Sequence, residues 1–358
     1  MCGTTIPMRL LLLMLATGLG AVAADPRFIE TTRYLNHAKA VATHTFDDSN
    51  LRVIDTLDAL DKYGVKATAF VNTSGQTVTK LWPRLKQAIT NGHEVGSHSR
   101  RHQCEWPDTE AVCRKFYDES EVAGSRDDIV QNTGQKHVWS FCYPCGNCSN
   151  YPFTWDIIKR AGYLAARNYP GEQQNLHNLP DLQTWAENPY NAAYTQVVQK
   201  QGGIAKSGRT DPKELNAKFD EVYRKGGIYH FVSHPAWLEF GADAFYEQHL
   251  KHLAHRADVW YVPFGPLYAY RQLAASVKVT PLGKGKFDIK SDLDLNVYNG
   301  AVTLAFEISN SIRQVRIGKE PMVERPAGAT DRWDEQYFRR EGTALYVTVR
   351  PDVTIEIR

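Results

Sequence analysis

NHAKAVATHTFDDSNLRVIDTLDALDKYGVKATAFVNT, residues 36–73, decides the architecture of this chain. His37 to Thr45 reads as a short strand. Leu51, Ile54, Leu57 and Leu60 then recur at helical spacing. Gly64 stops that helix, as a glycine just beyond a C-terminus does. Ala67-Thr68-Ala69-Phe70-Val71 is the next strand. Two strands separated by a helix imply a parallel pair with the helix packed outside.

The alternation continues downstream. Leu81 to Thr90 reads as a helix ending at Asn91-Gly92, and Glu94-Val95-Gly96 as a short strand. The spacing predicts one long amphipathic helix from about Glu110 to Gln131. A strand follows over Val138 to Tyr143, a helix over Thr154 to Arg160 and a strand over Tyr163 to Arg167. Residues 171–210 are polar, rich in Asn and Gln, and read as long loops. Pro212 to Lys225 and Ala244 to Arg256 are helical, Ile228 to Ser233 and Val259 to Pro263 are strands, and Leu267 to Ala275 is the last helix. The fold class is α/β. A (β/α) barrel, whole or incomplete, fits better than a doubly wound sheet, because the sequence has no glycine-rich dinucleotide loop.

After about residue 276 the period changes to two. Val277 and Val279, Leu293, Leu295 and Val297, Val302, Leu304 and Phe306, Val315 and Ile317, and Leu345, Val347 and Val349 alternate with polar residues. Gly283, Gly285, Gly300 and Gly342 punctuate them. This predicts a small C-terminal antiparallel β-sandwich. The expected organisation is a signal peptide over 1–24, a main domain over 25–275 and an all-β domain over 276–358.

The signal peptide is read from Arg9, the apolar run Leu10 to Leu15, and the small residues ending in Ala21-Val22-Ala23-Ala24. The run falls short of the roughly 20 apolar residues a membrane span needs. The expected location is therefore secreted or periplasmic, with no membrane span once the signal is removed. The net charge of +2 is spread along the 358 residues, so nothing supports a nucleic-acid partner. Export permits disulfides. Cys104, Cys113, Cys142, Cys145 and Cys148 remain after Cys2 leaves, an odd number, and their pairing stays open. Cys104–Cys113 is the simplest local bridge, and a structural zinc site is the rival reading.

Three stretches carry chemistry. His44-Thr45-Phe46-Asp47-Asp48 ends a strand with two adjacent carboxylates. Asp48 or Ser49 as a helix cap is the plain explanation. The alternative is a metal held by one carboxylate while the other stays free to take a proton, which resolves the repulsion between them. His98-Ser99-Arg100-Arg101-His102 places two histidines four apart, facing one ion if the segment turns helically. Phe231-Val232-Ser233-His234-Pro235 delivers a histidine to the end of an apolar strand. His249, His252 and His255 repeat at helical spacing and read as structural.

The order Asp-Asp, then Gly-x-His-x-x-x-His, then strand-His resembles the polysaccharide deacetylase family, the carbohydrate esterases of family 4 with a NodB-type domain. Thr45-Phe46-Asp47-Asp48 looks like its first motif, Asn91 to His102 like its second, Phe141 to Gly146 like its third and Ile228 to Pro235 like its last. The resemblance spans roughly residues 36–275. It implies a distorted (β/α) barrel that hydrolyses N-acetyl or O-acetyl groups of an acetylated carbohydrate. It assigns Asp48, His98 and His102 to one divalent ion. The donor set suits zinc, with cobalt or nickel as alternatives. By the same resemblance Asp47 is the general base and His234 the general acid. Tyr143 and Cys145 fall where substrate is contacted, Cys145 through its backbone N–H to the oxyanion. His93 and Glu94 read as structural.

The third motif departs from the family. It commonly reads Arg-x-Pro-Tyr/Phe, and here Cys142, Tyr143, Pro144 and Cys145 stand there. The arginine that would orient the base is missing, with Arg100 or Arg167 as stand-ins. Asp181 and Trp185 are the available residues for a fourth motif. Two other readings compete: an inactive glycan-binding barrel, and an iron(II) oxygenase built on one carboxylate and two histidines. The five intact residues Asp47, Asp48, His98, His102 and His234 argue against the first. The absence of a close His-x-Asp pair argues against the second.

Overall fold

The computed structural model describes residues 25–168, 192–193, 212–309, 312, 314–326 and 332–358. The expected signal peptide and the pair Asp181 and Trp185 lie outside the described residues.

The chain starts with strand β1 (Arg27–Thr31) and enters the main sheet with β2 (Ala40–Asp47). Helix α1 (Val53–Tyr63), β3 (Ala67–Val71), α2 (Gln76–Thr90) and β4 (Glu94–Ser97) follow the predicted alternation. Gly64 ends α1 at φ +69°, the left-handed conformation that glycine adopts without strain. The helix predicted over 110–131 is two, α3 (Glu110–Phe116) and α4 (Glu119–Thr133). Asp118 makes the break: its carboxylate accepts the Glu121 N–H at 2.8 Å and caps a new helix. Then come β5 (Ser140–Cys142), α5 (Pro152–Arg160), β6 (Ala165–Asn168), β7 (Ala192–Ala193), α6 (Pro212–Lys225), β8 (Ile228–Ser233), α7 (Phe245–Leu253), β9 (Val259–Tyr261) and α8 (Phe264–Ser276).

Among the described residues the main sheet runs β7-β6-β5-β4-β3-β2-β8, and all its pairings are parallel. Strand β2 changes partner along one edge. Ala40–Ala42 pair with β9 and His44–Asp47 with β3, while β8 follows Val41–Phe46 along the other edge. The sheet therefore curls into a half-barrel with helices outside, a distorted (β/α) barrel. All eight residues of β2 are buried, as a strand flanked on both edges and both faces must be.

The C-terminal strands are β10 (Lys278–Gly283), β11 (Lys286–Lys290), β12 (Val302–Glu307), β13 (Val315–Ile317), β14 (Glu320–Pro321), β15 (Tyr337–Glu341), β16 (Ala344–Val349) and β17 (Val353–Ile357). They form two antiparallel sheets, β1-β12-β16-β15 and β10-β11-β17-β13-β14. Strand β1, numbered with the main domain in the sequence reading, hydrogen-bonds to β12 instead. The stretch Leu293 to Val297, expected as a strand, is a turn. Asp294 accepts the Asn296 N–H through its side chain and the Val297 and Tyr298 N–H groups through its carbonyl. A local Asx turn here satisfies the groups that a ladder would otherwise use.

Helix α8 joins the two parts. Leu267, Tyr268, Tyr270 and Leu273 share one apolar cluster with Trp260 of the barrel and with Phe287, Leu304, Phe306 and Ile355 of the sandwich. Its N-terminus is pinned by Glu94. The carboxylate accepts the Gly265 N–H at 2.8 Å, the Thr68 hydroxyl at 2.7 Å and the Ser140 hydroxyl at 2.8 Å. A carboxylate at a helix start is favourable both as an acceptor and against the helix dipole. Gly265 is required by this contact, since a Cβ there would stand 2.1 Å from Glu94 Oε1. Alanine favours a helix over glycine by about 1 kcal/mol. Displacing a buried, charge-assisted hydrogen bond costs about 1.5–3 kcal/mol, so the clash prevails. Gly265→Ala is therefore expected to lower the unfolding midpoint by calorimetry. A variant melting at or above the parent would show that Glu94 does not anchor α8.

Candidate functional site

Strands β8, β2, β3 and β4 are consecutive and parallel, so their C-terminal ends open on one side. Asp48 is the first residue beyond β2, His98 the first beyond β4 and His234 the first beyond β8. Asp48 takes φ +80°, a conformation that aspartate tolerates better than most residues. Asp48 and Ser49 do not cap α1, whose N-cap is Arg52 without a side-chain bond, so the capping explanation falls. His98 and His102 are not on a helical turn either. Ser99 at φ +61° and His102 at φ +55° bend the segment, and the His102 N–H is held by Ser99 Oγ at 3.1 Å.

One carboxylate meets three imidazoles. Asp48 Oδ1 is 3.3 Å from His102 Nε2 and 3.7 Å from His98 Nε2, and its Oδ2 is 3.8 Å from His234 Nε2. The donor atoms of Asp48, His98 and His102 all lie within 4.8 Å of one another. His98 Nδ1 is 2.9 Å from the Cys142 carbonyl. A carbonyl only accepts, so Nδ1 carries the proton and Nε2 keeps its lone pair towards Asp48. Burial also holds the His98 imidazole below its ordinary pKa, which favours the neutral ligand form. One carboxylate and two neutral imidazoles converging in this way fit a divalent transition metal with an open position.

Asp47 sits beside this cluster but is turned inward. Its carboxylate, only 2% exposed, is bonded to the guanidinium of Arg167, which is itself fully buried. Burial alone would raise the Asp47 pKa. The Arg167 charge, together with His98 and His234, outweighs it and holds the carboxyl down at about 2. The repulsion between adjacent aspartates is thus relieved at Asp47 by a guanidinium. Of the two stand-ins, Arg100 pairs with Asp128 at 2.8 and 3.0 Å and is not the partner of Asp47.

Residues 35–166 match the sequence profile of the polysaccharide deacetylase family. Over that segment the chain is similar to a polysaccharide deacetylase domain. Asp47, Asp48, His98 and His102 fall inside the matched segment, and Arg167 and His234 beyond it. Among solved structures, a candidate polysaccharide deacetylase from Mycobacterium smegmatis is 14% identical with a TM-score of 0.48, over 69% of this chain and 95% of that one. A family 4 acetyl xylan esterase from Clostridium thermocellum, solved with cobalt, is 19% identical with a TM-score of 0.36, over 60% and 81%. The catalytic domain of a peptidoglycan N-acetylglucosamine deacetylase from Eubacterium rectale is 19% identical with a TM-score of 0.37, over 62% and 86%. None of the curated proteins matches the sequence significantly.

The geometry accounts for a cysteine at position 142, where the sequence reading expected an arginine. Cys142 on β5 stands opposite Arg167 on β6 in register. The Cys142 thiol lies 3.0 Å from the Arg167 guanidinium. A small side chain at 142 leaves room for the longer one from the neighbouring strand. Tyr143, expected against substrate, is instead fully buried between Tyr117 and Phe141, with ring centroids 5.8 and 5.5 Å away. Burial pushes its phenol pKa up. The cysteines pair as Cys104–Cys145 and Cys113–Cys148, and Cys142 stays unpaired and buried. Cys104–Cys145 joins the loop after β4, which carries His102, to the loop after β5, and Cys113–Cys148 ties α3 to that same second loop. Cys145 thereby reaches the site's edge, its sulfur grouped with those of Cys104 and the ring of His102 within 4.8 Å.

The residues read as structural are so employed. His93 accepts the Ala67 N–H and reaches Asp61, and His249 lies between Tyr229 and Asn216. Trp237 was missed: its ring lies 3.8 Å from that of His234, and the pattern His234-Pro235-Ala236-Trp237 was its one sequence signal.

Removing one member of a buried ion pair strands the other, at a cost of about 3–5 kcal/mol. Arg167→Met is expected to lose stability on that scale in urea unfolding. Arg167→Met with Asp47→Asn should recover most of it, because no buried charge is then left unpaired. The parent's pair also sets a pH dependence. The folded pKa of Asp47 lies below its unfolded value of 3.8, so its contribution is full above that value and is lost as pH falls towards about 2. A double variant no more stable than Arg167→Met would count against the pairing.

Proposed function

We propose that this chain is a metal-dependent deacetylase that hydrolyses acetyl groups, N-linked or O-linked, from a polysaccharide or oligosaccharide. The observation that carries the reading is the single Asp48 carboxylate facing His98, His102 and His234 at 3.3–3.8 Å, with an ionised second aspartate beside it. Asp48, His98 and His102 would hold one divalent ion, zinc by the chemistry of the donors, with cobalt or nickel accepted by the same set. Such an ion lowers the pKa of a water and polarises the acetyl carbonyl.

The protein's own groups do the rest. Asp47 takes the proton of the attacking water. Arg167 fixes the carboxylate's orientation and keeps it ionised at any working pH, at a loss of basicity that an acidified water offsets. His234 stands on the far side of Asp48 and protonates the departing amine or alcohol, its ring held by Trp237. The Cys145 N–H is the donor assigned to the developing oxyanion.

The two disulfides support an oxidising, extracytoplasmic location. No helix of the described residues is long and apolar enough to cross a membrane. Residues 25–275 and 276–358 are read as catalytic and accessory units, with β1 as a strap from the first to the second.

The test is acetate release from acetylated chitooligosaccharides and acetylated xylan by the full chain loaded with zinc or cobalt. Asp48→Ala is expected to lose metal binding and acetate release together. Asp47→Asn should keep its metal and lose about 10²–10⁴-fold in kcat. Should both variants release acetate at the parental rate, the roles are wrongly assigned.

A further inference from the structure

A cavity of about 540 Å³ lies between the deacetylase domain and the β-sandwich. Lys66 precedes β3, Glu94 opens β4 and Trp139 precedes β5, so the cavity is at the N-terminal end of the barrel strands, opposite Asp48. From the sandwich side it is lined by Asn299 and Trp333. Its size falls within the roughly 300–1,000 Å³ of small-molecule sites.

Three lining residues each carry a buried polar atom without a hydrogen-bond partner: His137 Nε2, Trp139 Nε1 and Asn299 Oδ1. The indole N–H only donates and the amide oxygen only accepts. Buried groups of this kind are almost always satisfied, so three around one cavity call for a ligand or solvent that bonds them. The aromatic side chains are held in place. The Trp139 and Trp333 rings meet edge to face at 4.8 Å, and His137 stacks on Trp139 at 5.9 Å. Gly300 lets Trp333 approach, since a Cβ there would lie 3.2 Å from the indole, and the Ala301 N–H bonds the Trp333 carbonyl at 2.8 Å.

Water alone would satisfy the polar atoms but gains nothing from indole surface. A pyranose ring has both an apolar C–H face and hydroxyls that donate and accept. The exposed Lys136 adds positive charge, while Arg332 is offset by Asp334 at 3.2 Å and the Glu94 carboxylate is taken up by Gly265, Thr68 and Ser140. A neutral, acetylated sugar suits that field, and the ammonium left by N-deacetylation does not. We propose that this crevice is a second carbohydrate site, holding about one or two pyranose rings of an acetylated chain and disfavouring its deacetylated product. The identity of the sugar rests on the deacetylase reading above.

The experiment is calorimetric titration of the full chain in chelator, which stops turnover. The probes are the N-acetylglucosamine hexamer, acetylated xylohexaose and the glucosamine hexamer. The parent is expected to bind an acetylated probe at least tenfold more tightly than the glucosamine hexamer. Asn299→Leu, which keeps the branched outline and removes the acceptor, should weaken the acetylated probe at least tenfold. Lys136→Glu changes only an exposed residue and should tighten the glucosamine hexamer at least threefold. Acetylated-probe binding unchanged in Asn299→Leu together with glucosamine binding unchanged in Lys136→Glu overturns the proposal, as does a parent that binds neither acetylated probe. Acetate release by the metal-loaded parent is a separate measure. Release with binding insensitive to both variants sinks the crevice alone, and variant-sensitive binding without release sinks the deacetylase reading alone.

Discussion

The contact between Asp47 and Arg167 is the constraint on which the site depends. The two residues belong to β2 and β6, which stand four places apart in the sheet order. In a flat sheet, strands so placed would lie roughly 19 Å apart, at about 4.8 Å per spacing. They touch because the sheet curls and brings its two sides face to face. The curl therefore makes the ion pair possible, and the ion pair in turn ties the two sides of the half-barrel together at the end that carries Asp48. A charged pair this deep contributes little net stability over an apolar filling. Its value is in geometry: it holds one aspartate ionised and turned inward, and leaves its neighbour, Asp48, to the imidazoles.

The altered third motif follows from the same contact. Cys142 and Arg167 are register partners, so an arginine at 142 and one at 167 would compete for the space beside Asp47. The chain supplies the guanidinium from the adjacent strand and a small thiol at position 142. The loop that follows is held by covalent means. Cys104–Cys145 and Cys113–Cys148 close spans of 41 and 35 residues, removing freedom from the unfolded chain and limiting how far His102 can move from Asp48. This reading weakens the case for an inactive barrel, since the departure that suggested it leaves the charge on Asp47 balanced.

Much of this was legible in the sequence. Strand β3 and helix α6 appear at the predicted residues, because an apolar run bounded by turn signals and a strong helical period are local properties. The grouping of Asp48, His98 and His102 was legible too, because parallel strands carry their following residues to a common edge. What was not legible is non-local. Arg167 as the partner of Asp47 requires the register of β5 against β6 and the curl of the sheet. The cysteine pairing links the segment between β4 and α4 to the loop after β5, which sequence distance does not connect, so the local Cys104–Cys113 bridge lost. Tyr143 failed for a related reason: alternation along a strand says that a residue faces inward without saying whether inward is cleft or core. Strand β17 went unread although Val353, Ile355 and Ile357 alternate.

The two ends of the barrel are mechanically one object, and β4 is the reason. Glu94 begins this strand and pins the start of α8, while His98 follows its last residue and faces Asp48. Helix α8 is buried along most of its length between barrel and sandwich, in a cluster both share. The sandwich therefore does not hang from a linker. A displacement of α8 pulls on Glu94, and Glu94 is four residues from His98 on an inextensible strand. A sugar chain held between Trp139 and Trp333 would consequently be held at a fixed distance from the reacting carbonyl, which is how a rigid accessory domain differs from a tethered one: it sets register along the chain as well as raising local concentration.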